Sequence, residues 1–172
     1  LHPAFIHFAI TFLVVAIIAA IASLFYFRKG LMVATAVLFL IGSGTTYLAT
    51  IGGQKAGKQI IAIHPEVRGD VDKHQIEGYK LLLASVITTG FAFLTLYLCS
   101  DENNKLNKVL RLSTVLSSFF VTFLLIETGE SGAKIIYEDI VGIYPTGSTE
   151  PHKAPKDHPG HEKPSAAILK QE

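Results

Sequence analysis

Six side chains of this sequence are of the types that bind metal or handle protons and also lie at the edges of long apolar runs. They are His2, His7, His64, His74, Glu127 and Glu130. Neutral imidazole is a common ligand of metal ions and of haem iron. His7 and His74 are the candidate axial pair for a non-covalent haem b, because helices of a bundle can reach one iron from opposite sides. Such a haem would pass electrons towards a quinone or a periplasmic carrier. His2, His64, Glu127 and Glu130, with His7 and His74 nearby, are candidate ligands for zinc, iron or manganese, which accept mixed nitrogen and oxygen donors. Each residue also has a plain structural use. His2 precedes Pro3, which suits the first turn of a helix because its missing N–H costs nothing there. His64-Pro65 reads as loop, and His7 can be a hydrogen-bonded packing residue. One distance counts against the haem pair: His74 precedes Leu81 by seven residues, about 10 Å of helix, whereas His7 lies within its apolar block.

Other chemistries lack their residues. The sequence holds no His-Glu-x-x-His, no nucleophile elbow, no phosphate loop and no paired zinc cysteines, so hydrolase and nucleotide chemistry have no support. Without Cys-x-x-Cys-His, covalent c-type haem is excluded. The single cysteine, Cys99, cannot form an internal disulfide. A net charge of +1 without a basic run gives no case for nucleic acid. No catalytic activity of its own is expected.

The elements that position these residues are set by how charge is distributed. Charged residues are 17% of the chain, against about 25% in soluble domains, and they cluster in short joints between apolar blocks. A bilayer core needs about 20 mostly apolar residues per helix. Residues 3–27, 31–51, 78–99 and 109–126 meet that need, which predicts an all-α, integral membrane four-helix bundle over residues 1–143. Arg28-Lys29-Gly30 and residues 100–108 join spans at one end; residues 52–77 form the longer joint at the other, beside both termini. The Lys and Arg count of short loops sets Arg28, Lys29, Lys105, Lys108 and Arg111 against Lys55, Lys58, Arg68 and Lys73, and places both termini outside. Residues 144–172, rich in Pro, His and Lys, are expected to form a flexible extramembrane tail, in which His152, His158 and His161 are weak metal donors at most.

One end of the bundle therefore collects His2, His7, His64, His74, Glu127, Glu130, Tyr137 and Glu138, while the other has none of the histidines. Helical spacing adds stripes of small and hydroxyl residues: Gly42, Thr46, Ala49, Gly53 and Gly57; His74, Gly78, Ser85 and Thr89; Ser113 and Ser117. Such residues let helix backbones approach; the same glycines can also make room for a flat ligand. A faint repeat relates the Gly53–Ile61 and Gly129–Ile136 exits, suggesting two hairpins of like orientation.

The opening His2-Pro3-Ala4-Phe5-Ile6-His7-Phe8 resembles the His-Pro-x-x-(Val/Ile)-His-Phe start of the DUF2231 family of prokaryotic membrane proteins, with Ala9 where that family usually has Pro. Ile136-Tyr137 and Val141-Gly142 resemble its glycine-rich exit; Glu138 and Asp139 stand where an Arg and a His are common, so no ligand role carries over from that His. The resemblance covers about residues 1–143. It implies a four-span protein of the prokaryotic inner membrane. Because some members are joined to redox modules, it also implies a subunit of an electron-transfer system, surrounded by membrane lipid and other complex subunits. The alternative is an accessory subunit of a larger complex with no cofactor of its own.

Overall fold

A computed structural model describes residues 2–26, 28–98 and 105–140, with side chains from 4 to 137 within those segments. The expected tail, Cys99, most of the joint between the third and fourth spans, and the side chain of His2 lie outside the described residues.

Among the described residues there are four α-helices: α1 (His2–Phe25), α2 (Lys29–Ile63), α3 (Arg68–Leu98) and α4 (Lys105–Lys134). A 3-10 turn, Pro65–Val67, links α2 to α3, and a π-helical stretch, Ile135–Ile140, continues α4. Among the described residues there is no strand. All four helices are long and apolar enough to cross a membrane. They form a ring in which α1 touches α2 and α4, α3 touches α2 and α4, and α1 lies diagonal to α3. The core holds Leu13, Ala16, Phe39, Ala36, Val121 and Ala92, with the two largest, Leu13 and Phe39, fully buried. Large apolar side chains elsewhere, such as Ile18, Leu83, Leu116 and Phe123, point outward, the arrangement of helices solvated by lipid.

Small residues decide how close these helices stand. A Cβ on Gly42 would lie 2.8 Å from Leu13 Cδ2 and 3.3 Å from the Leu13 backbone nitrogen, so α1 and α2 meet in close contact where only glycine fits. Gly57 brings α2 close to α3 as well, although there a Cβ would meet only side-chain atoms of Gln75 and Val71. Gly42, Thr46, Ala49 and Gly57 are buried, as the expected seam requires. Ser43 and Thr89 share a hydrogen bond of 2.9 Å across α2 and α3. Most other hydroxyls donate to the carbonyl one turn earlier, as Thr46 does to Gly42 at 2.8 Å, which keeps them satisfied in an apolar surrounding.

Three expectations change. Residues 52–77 form no loose joint: α2 runs on to Ile63, the chain reverses at His64–Val67, and α3 begins at Arg68. The reason is a second small core, Val67, Val71 and Ile135 with Ile60 and Ile61 packed on it, which rewards helical continuation past the glycines. On α4, the buried hydroxyls are Thr114 and Ser118 rather than Ser113 and Ser117, which are half-buried. Arg111, counted above as a loop cation, is only 6% exposed within α4. This removes one charge from the tally that set the expected orientation.

At 35 residues, α2 is about 52 Å long, well beyond a hydrocarbon core of about 30 Å. Exposed aromatics mark where that core falls. Tyr79 and Tyr97 are 47% and 85% exposed and stand 18 residues apart on α3, about 27 Å, a span that fits tyrosines at both lipid–water boundaries. Gln54 donates a hydrogen bond to the Tyr79 hydroxyl, tying α2 to α3 at that boundary. Beyond it, the last ten residues of α2, the first turns of α3 and the end of α4 project as a cap about 15 Å tall.

Candidate functional site: a polar ladder between two helices

The cap is held by polar pairs in register. Lys134 Nζ lies 3.1 Å from Asp70 Oδ1. One turn on, His74 Nδ1 lies 2.9 Å from Ser131 Oγ. The next step, three residues along α3 and three back along α4, brings Glu77 level with Thr128. The steps of three or four residues along each helix, 70, 74, 77 against 134, 131, 128, keep these side chains on one face of each helix, where two helices share a seam. Below Glu77, the α3 seam becomes apolar at Leu81 and Ala84, with Leu124 and Val121 on α4. The ladder thus enters from the cap and ends near the membrane boundary.

Ser131 Oγ also lies 3.1 Å from the Thr128 carbonyl, so its one proton serves either that carbonyl or the imidazole, and the direction of the bond to His74 follows the tautomer. The ring is seated on Gly132, where a Cβ would come within 3.0 Å of the imidazole. At the inner end, Glu77 is 2% exposed. Its Oε1 is 3.7 Å from Lys73 Nζ; Oε2, and the Thr128 hydroxyl oxygen, are buried without a hydrogen-bond partner. Leaving a buried carboxyl oxygen unmet is costly.

The six sequence candidates do not converge. His74 is in the ladder. Glu127, half-buried, and Glu130, exposed, flank it on α4. His64 sits at the reversal of the chain, its Nδ1 3.0 Å from Glu66 Oε1. His2 opens α1. His7 lies on the outer face of α1 and is exposed. Leu13 opposite Gly42 and Ser43 opposite Thr89 fix the levels: His7 stands beside about residue 84 of α3, ten residues or about 15 Å from His74. One iron cannot take both imidazoles at that separation, so these two residues do not fit a haem between them. Among the described residues no three His, Cys, Asp or Glu side chains are placed to hold a metal ion.

Two buried groups escaped sequence reading. Glu77 resembled one more loop acid, and its only signal was its place seven residues after Asp70. Arg111 resembled a loop base; its signal was the stripe Asn107, Arg111, Thr114, Ser118, all buried.

Fold and site together define a polytopic α-helical membrane protein with a small polar cap at one end. The chain belongs to the DUF2231 family, described as predicted membrane protein, whose model matches residues 1–145. Comparison with curated proteins and with solved structures gives no match.

Proposed function

We propose that this protein is a non-catalytic subunit of a larger membrane complex and docks on its partner through the outer face of α1. The observation that carries this reading is His7. It is exposed and lies about six residues, or 9 Å, inside the boundary marked by Gln54 and Tyr79. Ionisable side chains at such depth are costly in lipid and normally face protein. His7 shares its outward stripe with Thr11, Val14 and Ile18, all exposed. Thr11 donates to the His7 carbonyl at 2.8 Å, so its proton is not offered to the imidazole. A helix from another subunit, laid on this stripe, would supply a partner and bury the neighbouring valine and isoleucine.

Electron transfer is the setting of that complex on this reading, and its support is the family resemblance alone. A haem would then take His7 from this chain and its second ligand from the partner. The test is to purify the wild type and His7→Leu in mild detergent. The proposal expects a complex larger than the chain that dissociates in His7→Leu while the helix content holds. Equal assembly of both forms would overturn it. An absorbance spectrum of the same complex decides the cofactor: a Soret band lost in His7→Leu supports haem, and a colourless complex removes it.

A further inference from the structure

At the end opposite the cap, every helix contributes to one small cleft. It is lined by Ser23 of α1, Met32 and Thr35 of α2, Ala92 and Thr95 of α3, and Arg111 and Thr114 of α4. We infer that this cleft is an internal hydration site, in which one water molecule accepts from the Arg111 guanidinium and donates to two of the hydroxyl oxygens on the other helices, tying α4 to two of its neighbours.

The hydroxyl inventory selects water over other guests. Ser23 donates to the Ala20 carbonyl at 2.6 Å, Thr35 to Leu31 at 2.9 Å, Thr95 to Phe91 at 2.8 Å and Thr114 to Leu110 at 2.9 Å. Each hydroxyl proton is thus used within its own helix, and each oxygen turns only lone pairs to the cleft. An anion would meet those lone pairs and be repelled. A cation would meet the guanidinium. Arg111 offers five N–H donors in a fixed fork, and no one neighbour takes all five. A molecule that accepts from one side and donates to the other satisfies both. Buried waters typically make two to four such bonds, and the free space in the cleft suits one small guest. Thr95 and Thr114 stand 3.5 Å apart, at the long limit of a direct bond, which agrees with two oxygens that both lack a proton to share.

A substitution at Ala92 tests the site through the sign of its effect. Ala92 is 3% exposed and forms one wall, so Ala92→Val fills the space. If water occupies it, Ala92→Val lowers the melting temperature in detergent by about 2–6 °C, because Arg111 and the hydroxyls lose their bridge. In an Arg111→Met background that penalty disappears or becomes a gain. Arg111→Gln serves the same purpose should Arg111→Met fail to fold. Ala92→Val that stabilises the otherwise unaltered chain would show a dry void. An equal loss in both backgrounds would show simple overpacking. A melting temperature that depends on chloride against a bulky organic anion at equal ionic strength would show an anion. Any of these three results overturns the inference.

Discussion

Replacing Gly42 with alanine adds one methyl group at the place where α1 and α2 come nearest. Its Cβ would lie 2.8 Å from Leu13 Cδ2, 3.0 Å from Leu13 Cγ and 3.3 Å from the Leu13 backbone nitrogen. Carbon atoms rest at about 3.5–4.0 Å, so the helices must separate by roughly 0.5–1 Å or Leu13 must change rotamer. Neither adjustment is cheap. Leu13 is fully buried beside Ala36 and Phe39, both also at zero exposure, and the backbone nitrogen cannot swing aside. Overpacking of this kind costs about 1–3 kcal/mol. At about 2–4 °C per kcal/mol for a chain of this size, the melting temperature in detergent should fall by about 2–12 °C. Gly44→Ala is the control: no atom lies within 4 Å of the added methyl, and alanine favours helix over glycine by up to about 1 kcal/mol. It should leave stability unchanged or raise it. If Gly44→Ala destabilises the protein as much as Gly42→Ala, the loss belongs to the helix backbone in general and the close α1–α2 contact is not its cause.

Other consequences follow from the cap. Gly57→Ala meets the end of the Gln75 side chain at 2.7 Å and Val71 Cγ1 at 2.9 Å; Gln75 can swing away, so thermal unfolding should show a smaller loss than for Gly42→Ala. His74→Ala and Ser131→Ala should couple in a double-mutant cycle by about 0.5–1.5 kcal/mol, and additive losses would show that the two do not share a bond in solution. The Asp70–Lys134 pair is partly exposed, so Asp70→Asn should change stability by less than about 1 kcal/mol. In a Cys99→Ser background, a single cysteine placed at Lys58 should react with a membrane-impermeant maleimide in intact lipid, whereas one at Leu40 should stay unmodified; labelling of Leu40→Cys would remove the membrane boundary drawn at Tyr79.

Much of this architecture was legible before any coordinates. Sparse charge and four apolar blocks were enough for the spans, because lipid admits few solutions for backbone hydrogen bonds. The Gly42 to Gly57 seam was readable because glycine and alanine at helical spacing have few other uses. Register was not. Hydroxyls at 113, 114, 117 and 118 form two equally good stripes about 100° apart, and only the packing of Arg111 and Val121 chooses the second. Lysines and glycines around residues 52–58 resembled a loop because the apolar residues that stabilise the helix there, Ile60, Ile61 and Val71, are few and split across two helices. Glu77 and Arg111 were misjudged for a related reason: a charge near the end of a span reads as solvated unless its level against three other helices is known. His7 and His74 were candidates for one haem on residue type; the α1–α2 and α2–α3 registers, carried by Gly42 and Ser43, separate them.

Photo-crosslinking in native membranes bears most directly on the role assigned to His7. A photoreactive residue at position 7 is compared with one at position 83, since Leu83 is 63% exposed at nearly the same depth on the diagonal helix. Docking through α1 predicts a discrete protein adduct from position 7, either a second subunit or another copy of the chain, and none from position 83. Lipid adducts alone from position 7, or equal protein adducts from both positions, would contradict it.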